Sequence, residues 1–370
     1  MSELPLAHRI KASLRQPKEE CSFSIDRDMN TRFDDRCLSY YYLPEPMLNA
    51  DIDLSGGYKD FIEKDESEPG HLNHFLRALM EHEKTTGSRI KGDIITFRGI
   101  MTKLLCLPYN SGDDIDLNLM VFDGQIFIEE DHELTQSKKR AMNERDRLMC
   151  YWGYKFEAIS MLDKPWSEAT RDEIFDRPKT KQVNNIEQYL SIVRTGVGSV
   201  KLVLAGEVDG VMDYKPEKPE DPLRHYVELK TSKVIRDEKD ARAFERKILK
   251  TWAQSFLLGI RKVIYGFRDD NGILKSIEEY RTDELPTLVK SSMFSNPKSK
   301  WNGNDAVAFY AAAVEWIKNT VGTQEGVAWR LQYKRGDQKL VLYPLQGPEA
   351  SQVLDSLILP EFAEWRKSLD

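Results

Sequence analysis

The stretch VKLVLAGEVDGVMDY, residues 200–214, contains the run 202–211, whose two strand faces are apolar except for Glu207 and Asp209. A strand that is apolar on both faces is typical of the centre of a sheet covered on both sides. Side chains two apart in a strand point the same way, so we expect these two carboxylates on one face, about 6.6–7 Å apart. At an effective dielectric constant of ~20 they would repel by roughly 2–3 kcal/mol, which favours a cation between them.

A second strand, HYVELKTSK, residues 225–233, places Glu228 and Lys230 on one face. An acid on one strand followed by acid-x-Lys on the next is typical of restriction-type metal nucleases, in which carboxylates hold one or two Mg²⁺ or Mn²⁺ ions. The ions polarise the phosphate and activate water, while the lysine stabilises charge or orients that water. The alternative is a cross-strand Glu–Lys ion pair without catalytic meaning.

Two predicted helices can add side chains to this site. Residues 135–162 have the periodicity of one long helix, in which Gly153 would allow close packing on the sheet and Glu157, one turn later, could reach the metal. Residues 240–260 predict another helix, whose polar face carries Gln254, a side chain that could position water or a phosphate oxygen. Alternatively, Glu157 could face solvent, and Gln254 could belong to an ordinary polar helix surface.

The segment DIITFRGIMTKLLCLPY, residues 93–109, is predicted to be a strand with Arg98 in its middle. A buried arginine suits bidentate phosphate binding, because its planar guanidinium matches two phosphate oxygens. A structural ion pair remains equally open from the residues alone.

The remaining pattern predicts an α/β (α+β) fold, a mixed β-sheet core flanked by helices. Hairpins are expected at 115–131, around the turn Asp123-Gly124, and at 262–281 and 329–345. We interpret residues 1–370 as one domain, with a less regular part at 1–85, a catalytic core at 86–275 and a C-terminal helix and hairpin at 276–370.

Composition limits the kind of partner and compartment. The formal net charge of −7 argues against broad binding of nucleic acid and favours a local pocket that grips an end. The four cysteines are scattered, which argues against a zinc site or a disulfide framework. No apolar run approaches the ~20 residues of a membrane span and no signal peptide is evident, so we expect a soluble intracellular protein without membrane contact.

Six segments in this order resemble the DXO family of RNA 5′-end decapping enzymes: TFRGIMTKLL, GYKFE, GEVDG, VELKTSK, KTWAQSFLLGI and VIYGFRDDNGIL. The resemblance implies that the metal ligands are Glu157, Asp209, Glu228, the Leu229 carbonyl and, directly or through water, Glu207. It implies that Lys230 and Gln254 position the water and the scissile phosphate, and that Arg98 binds the RNA phosphate or 5′ end. Each acidic position is filled, which favours an active enzyme.

Members of that family remove unmethylated guanosine caps, NAD caps and pyrophosphate from 5′-triphosphate RNA, and some degrade RNA 5′→3′. The compact length is similar to the fungal nuclear branch, which implies a nuclear location and a stable nuclear 5′→3′ exoribonuclease partner. Three alternatives stay open: a non-catalytic stabilising partner of that exoribonuclease, a member with its own exonuclease activity, and a DNA repair nuclease with a similar metal core.

Overall fold

The computed structural model describes residues 1–217, 219–294 and 300–369. The strands in this part of the chain are β1 (Ser2–Pro5), β2 (Leu14–Ile25), β3 (Thr31–Arg32), β4 (Tyr40–Tyr41), β5 (Ile94–Phe97), β6 (Ile115–Phe122), β7 (Gln125–Glu130), β8 (Met161–Leu162), β9 (Gln188–Val197), β10 (Val200–Glu207), β11 (Gly210–Val211), β12 (Tyr226–Lys233), β13 (Lys262–Arg268), β14 (Leu274–Arg281), β15 (Ala328–Tyr333) and β16 (Lys339–Pro344).

The helices are α1 (Glu45–Leu48), α2 (Asn73–Thr86), α3 (Arg98–Cys106), α4 (His132–Arg140), α5 (Glu144–Ser160), α6 (Arg171–Phe175), α7 (Arg177–Thr180), α8 (Glu238–Leu258), α9 (Leu285–Ser291), α10 (Gly303–Val321), α11 (Gly347–Ser356) and α12 (Pro360–Lys367). Among the residues described, no helix is both long enough and apolar enough to cross a bilayer.

The strands form two mixed sheets, as expected from the sequence. The larger has the order β1-β16-β15-β6-β7-β5-β10-β9-β2-β3, and the smaller has the order β14-β13-β12-β11-β4-β8. β5 is parallel to both β7 and β10, and β12 is parallel to β13, whereas the hairpin strands are antiparallel. The first strand of the chain pairs with the last one, since Ser2 lies opposite Leu342.

Three apolar clusters hold the layers together. The largest joins both sheets to α3, α8 and α10, and contains fully buried side chains such as Leu104, Ile248 and Tyr310. A second packs α2, α11 and α12 against the opposite face of the larger sheet. The third packs α5 against the smaller sheet through Trp152 and Phe156. The candidate site residues on helices and strands therefore project from elements whose other faces are anchored in a core.

The predicted hairpins are confirmed. Asp123 and Gly124 have φ values of 51° and 68°, as a tight type I′ turn requires, and they join β6 to β7. The pairs β13–β14 and β15–β16 match the hairpins expected at 262–281 and 329–345. The predicted helix at 240–260 is also present, as α8.

The strand predicted around Arg98 is wrong. β5 ends at Phe97, and Arg98 is the first residue of helix α3. Met101, Leu104 and Leu105 are fully buried and follow a helical spacing, but the preceding run of apolar residues fits a strand equally well. The transition occurs inside one continuous apolar segment, which is why periodicity did not reveal it.

The single long helix predicted at 135–162 is also wrong, because it is broken into α4 and α5. Asn143 begins the second helix with a capping box: its side chain accepts a hydrogen bond from the Asp146 amide at 2.9 Å, and Asp146 accepts one from the Asn143 amide at 3.3 Å. Two such reciprocal bonds satisfy backbone donors that a continuous helix would have used internally.

The terminal regions are more regular than predicted. Residues 1–85 contain the twelve-residue strand β2, which lies beside β9 in the larger sheet. Beyond the C-terminal hairpin the chain adds α11 and α12, which cover the same sheet. Because both ends of the chain complete one sheet, we keep the prediction of a single domain.

The C-terminal helix is tied to α2 by a buried ion pair that makes this prediction testable. The Arg366 guanidinium donates to both oxygens of Glu83, at 2.7 and 2.6 Å, and these side chains are only 2% and 0% exposed. We expect Arg366→Ala to lower the free energy of unfolding by ~3–5 kcal/mol, because Glu83 would be left as an uncompensated buried charge. Urea denaturation followed by circular dichroism and tryptophan fluorescence measures it.

The matched control is Arg77→Ala, which removes an ion pair with Glu361 whose side chains are 39% and 49% exposed. A loss of no more than ~1 kcal/mol is expected there, because water screens an exposed pair. Equal losses in the two variants, or separate transitions reported by the two probes, would contradict the buried tether and the single domain.

Candidate active site

The candidate site lies where the chain passes from the larger sheet to the smaller one. β10 ends at Glu207, Val208 and Asp209 form a short link, and β11 begins at Gly210. The continuous strand predicted over 200–214 is therefore wrong, and with it the shared strand face of Glu207 and Asp209. The reason is that Gly210 and Val211 pair with β12 and β4 instead of continuing beside β9.

Asp209 is held against the next strand by the backbone. Its Oδ2 atom accepts a hydrogen bond of 2.6 Å from the Leu229 amide, and its side chain is 11% exposed. This bond fixes one carboxylate beside Glu228, whose side chain is 1% exposed on β12. The two acids predicted to share a cation between adjacent strands are thus brought together.

The Lys230 ammonium lies among these acids. Its Nζ atom is 2.5 Å from Glu228 Oε1, 2.9 Å from the Leu229 carbonyl oxygen and 3.9 Å from Asp209 Oδ2. The ion pair considered as an alternative therefore exists, within β12 rather than across strands. It coincides with the acidic cluster, so the ammonium lies among the oxygen atoms to which a metal ion would bind.

Arg98 approaches the same cluster from the start of α3. Its Nη1 atom lies 3.6 Å from Glu228 Oε2, and its Nη2 atom donates to the Glu207 carbonyl at 3.5 Å. Within the described residues, both Nη1 of Arg98 and Oε2 of Glu228 are buried without a hydrogen-bond partner. The helical placement thus keeps the predicted arginine at the site, with an unused donor.

Burial and mutual repulsion raise the pKa values of three acids. Desolvation raises the pKa of Asp209 to about 7, and the charge of Glu228 adds to it. Desolvation, followed by the charge of Asp209, raises the pKa of Glu157 well above its ordinary value. Glu207 reaches solvent inside a cavity, yet partial desolvation raises its pKa, opposed mainly by Arg98. The structure therefore brings all four predicted acids into one electrostatic cluster.

Glu228 and Lys230 shift in the opposite sense. Burial alone would raise the pKa of Glu228, but Lys230 and Arg98 together hold it below the ordinary value. Burial would likewise lower the pKa of Lys230, but Glu228, Asp209 and Glu157 raise it. This pair is consequently charged at neutral pH.

The donor set suits a divalent cation. Four carboxylates face two basic side chains, so the fully ionised cluster keeps two uncompensated negative charges, and Glu228 Oε2 is an acceptor without a donor. Carboxylate and carbonyl oxygens are the ligands that Mg²⁺ and Mn²⁺ prefer. As the side chains stand, no three acid, histidine or cysteine groups within the described ranges converge tightly enough to hold a metal ion. The Lys230 ammonium lies among these oxygen atoms.

Gln254 and Gly153 are two further residues predicted to lie on helices near the site. Gln254 is half-buried on α8, on the side of the helix that also bears Lys247 and Lys250. Its predicted contact with water or phosphate stays a prediction. The prediction that Gly153 allows close packing on the sheet is wrong, because a Cβ atom added there would meet no heavy atom within 4 Å. The sheet is contacted by Trp152 and Phe156 instead.

A cavity of about 360 Å³ opens beside the acids, and sequence reasoning missed most of its lining. Its lining includes three of the predicted acids, Glu157, Glu207 and Asp209. Other lining side chains come from separate parts of the chain: Arg27, Arg36 and Lys181 from connecting segments, Tyr154 from α5 and Tyr189 from β9. Apart from Tyr154, which lies in the segment GYKFE, none of these belongs to a recognisable motif. Arg27 comes close because β2 ends beside the start of β9, with Ile25 opposite Gln188.

Comparison with known proteins identifies relatives over the whole chain. A family model described as RAI1 like PD-(D/E)XK nuclease matches residues 15–361. A protein named decapping nuclease RAI1 from Debaryomyces hansenii is 45% identical over 99% of this chain and 97% of its own length.

Two solved structures have the same architecture. Candida albicans Rai1 in complex with pU5 and Mn²⁺ superposes with a TM-score of 0.95 and 42% identity, over 100% of this chain and 99% of that one. Scheffersomyces stipitis Rai1 in complex with (3′-NADP)⁺ and a calcium ion gives a TM-score of 0.91 and 39% identity, over 100% of both chains.

The raised pKa of Asp209 predicts how the metal-free protein responds to pH. In the folded state this carboxyl binds its proton more tightly than in the unfolded state, so stability falls as pH rises from about 4 through about 7. We expect Asp209→Asn to raise the melting temperature in EDTA at pH 8 and to change it little at pH 4. Mn²⁺ should raise the melting temperature of the wild-type protein at pH 8 more than that of the variant.

Differential scanning fluorimetry with and without Mn²⁺ provides the measurement. Asp337→Asn, an exposed acid in the β15–β16 turn, is the control and should shift neither curve. A lower melting temperature of Asp209→Asn in EDTA at pH 8 would show that the carboxylate stabilises the metal-free fold, contrary to this reasoning.

Proposed function

The chain belongs to the RAI1-like PD-(D/E)XK nuclease family, and from this premise we propose that it hydrolyses phosphodiester or pyrophosphate bonds at RNA 5′ ends. The family expected from the motifs is thereby confirmed. The observation that carries the proposal is the cluster of four carboxylates around Lys230 and Arg98 beside a cavity. The substrates are incomplete or non-canonical caps, namely unmethylated guanosine and NAD caps, and 5′-triphosphates.

The enzyme depends on a divalent metal, Mg²⁺ or Mn²⁺, and we propose two ions. Glu157, Asp209, Glu228 and the Leu229 carbonyl would hold them, with Glu207 acting directly or through water. When bound, such ions polarise the phosphate and lower the pKa of a coordinated water. The excess of carboxylates over bases in the buried cluster supports this assignment.

The basic side chains would orient the substrate. Arg98 has a buried Nη1 donor that lies 3.6 Å from Glu228 Oε2 but, among the described residues, has no hydrogen-bond partner, which suits an oxygen of the terminal phosphate. Lys230 is within reach of two acids and a carbonyl, so its ammonium can hold a phosphate oxygen or the attacking water close to the reacting bond. Gln254, on helix α8, would help to position that water.

We propose that the enzyme makes a single cut at the 5′ end. The chain is acidic overall and its cavity of about 360 Å³ is small, in accord with a site that takes an end rather than the middle of a strand. Triphosphate or NAD-capped RNA would give full-length 5′-monophosphate RNA, and an unmethylated cap would leave as a cap dinucleotide.

The test is a time course on 5′-triphosphate, unmethylated-cap and NAD-cap RNA, each labelled at either the 5′ or the 3′ end, without any exonuclease. We expect one cleavage per molecule, abolished by EDTA and reduced by ~10³-fold or more in Asp209→Ala, since even one preorganised stabilising group is worth ~10²–10³-fold. Asp337→Ala is the control. A ladder of shortened products from 5′-monophosphate RNA would refute the single cut, and activity in EDTA would refute metal dependence.

We further propose that the chain resides in the nucleus and binds a nuclear 5′→3′ exoribonuclease, which degrades the 5′-monophosphate RNA. The support is chemical, because a single-cut enzyme creates an end that another enzyme must consume. A purely structural role beside that exoribonuclease is the second candidate. It is less favoured, because four repelling carboxylates are costly in a site without catalytic use.

If the partner binds away from the acids, catalysis and association are separable. We expect the Glu207→Ala/Asp209→Ala variant to co-purify with the exoribonuclease as well as the wild-type protein does, while losing RNA cleavage. Size-exclusion chromatography of the mixed proteins measures association, and circular dichroism checks the fold. Loss of the complex with an intact fold would place the partner at the active site instead.

A further inference from the structure

A buried hydrogen-bond network joins the two sheets, and none of its side chains belongs to the acidic cluster. Tyr226, on β12, donates from its hydroxyl to Glu19 Oε2 at 2.7 Å, and Ser191, on β9, donates to the same oxygen at 2.6 Å. Glu19 itself belongs to β2. The bond from Tyr226 therefore ties a strand of the smaller sheet to two neighbouring strands of the larger one.

A second tyrosine extends this network towards the surface. Tyr189, on β9, is 2% exposed, and its hydroxyl donates to Asp35 Oδ1 and accepts from Lys215 Nζ, both at 2.7 Å. The Lys215 ammonium also pairs with Asp35 at 2.6 Å. The rings of Tyr189 and Tyr226 meet edge to face, with centroids 6.3 Å apart and planes at 79°, an arrangement that aromatic pairs prefer. The two tyrosines thus hold each other as well as their polar partners.

Each tyrosine is also close, along the backbone, to one of the proposed metal ligands. Tyr226 lies two residues before Glu228 on β12, so their side chains share a strand face and are about 6.6–7 Å apart. The Tyr189 carbonyl accepts a hydrogen bond of 2.9 Å from the amide of Val208, the residue before Asp209. The separation of the Asp209 and Glu228 carboxylates therefore depends on how the two tyrosines are held.

Strand β2 is irregular where it supplies the acid of this network. Its pairing with β9 shifts register by one residue between Glu19 and Cys21, and such bulges re-aim side chains. Desolvation raises the pKa of Glu19, and the hydrogen bonds from Ser191 and Tyr226 oppose the rise. The larger sheet thus keeps an irregular strand and a desolvated acid at the place where Tyr226 is bound.

We propose that Tyr226 and Glu19 are positioning residues of the reaction, whose hydrogen bond sets the separation of Asp209 and Glu228 and with it the affinity for the divalent metal. Tyr226 acts through the position of β12, because its hydroxyl is bound to Glu19 and not to a metal ligand. Groups that orient metal-binding side chains are typically worth about 10–100-fold in metal affinity or activity. This inference rests on the proposed function.

The first experiment measures metal binding without RNA, by isothermal titration calorimetry of the metal-free protein with Mn²⁺. Tyr226→Phe removes the hydroxyl and keeps the ring, so the Kd for Mn²⁺ should rise by about 10-fold, at the lower end of the range for such groups. An unchanged Kd in the folded variant would overturn the proposal.

The matched control is Tyr333→Phe. Tyr333 is 1% exposed, and its hydroxyl donates to the Ser111 carbonyl at 3.1 Å and accepts from the Gly336 amide at 3.3 Å. It lies on β15, which three strands separate from β10. This variant also loses a buried tyrosine hydroxyl with its hydrogen bonds, so its melting temperature should fall by a similar amount. Its Kd for Mn²⁺ should stay at the wild-type value.

The second experiment separates positioning from RNA binding by steady-state kinetics on 5′-triphosphate RNA at saturating Mn²⁺. In Tyr226→Phe, kcat should fall by about 10-fold, because the metal ligands are misplaced. KM should stay within about twofold, because the lost interaction concerns the reacting geometry and not the hold on RNA. A loss confined to KM would place Tyr226 at the RNA and overturn the proposal.

The third experiment tests the same bond from the side of Glu19, and it also serves if Tyr226→Phe does not fold. Glu19→Gln keeps an oxygen acceptor, so Kd for Mn²⁺ and kcat should stay near the wild-type values. Glu19→Leu has no acceptor and should reproduce the losses of Tyr226→Phe. Because both variants break one bond, the double variant Tyr226→Phe/Glu19→Leu should lose no more than the worse single variant. Additive losses would overturn the proposal.

Metal binding also separates this inference from the proposed function. A wild-type protein that binds Mn²⁺ but cleaves no RNA 5′ end would refute the proposed function, whereas weaker Mn²⁺ binding by Tyr226→Phe would still support the positioning role. Conversely, Tyr226→Phe and Glu19→Leu variants with wild-type Mn²⁺ affinity and full cleavage would overturn the positioning role and leave the proposed function standing.

Discussion

The hydrogen bond from the Leu229 amide to the Asp209 carboxylate joins the two sheets at the point where the chain leaves one and enters the other. The Val208 amide donates to the Tyr189 carbonyl of the larger sheet at 2.9 Å, so Asp209 is the residue at which the chain crosses to the smaller sheet. The bond from Leu229 fixes Asp209 beside β12, and Glu207 and Glu228 approach each other from different sheets. The active-site geometry is therefore a property of the contact between sheets, not of either sheet alone.

This arrangement explains which parts of the site could be predicted from the sequence. Glu157, Asp209 and Glu228 were identified because carboxylates in apolar segments are chemically conspicuous, and they do cluster. The supposed common face of Glu207 and Asp209 failed, because a period-2 argument assumes an unbroken strand, and nothing local marks the end of β10. Arg98 lies at the site although the strand predicted around it was wrong. It begins a helix instead, and the start of a helix and the interior of a strand can have the same apolar neighbours in the sequence.

The fold, too, was predictable where residues close in sequence determine an element and unpredictable where distant residues do. Hairpins and the amphipathic helices α8 and α10 were predictable, because turn chemistry and a buried stripe repeat within a few residues. The twelve-residue strand β2 was missed, because it is mostly polar and owes its conformation to pairing with β9. The cavity lining was unpredictable for a stronger reason: Arg27, Lys181 and Tyr189 line one cavity only because segments that are distant in sequence meet in the fold.

The pairing of β1 with β16 has a consequence for how the protein is made. Ser2–Pro5 pair with residues 339–342, so the first strand to be synthesised must wait for the last strand. At about 5–20 residues per second, the delay on the ribosome is roughly 20–70 s. During that time one edge of the larger sheet stays incomplete, and long-range pairings of this kind fold slowly. A nascent chain would thus depend on protection from other proteins until its own C-terminal hairpin emerges and closes the sheet.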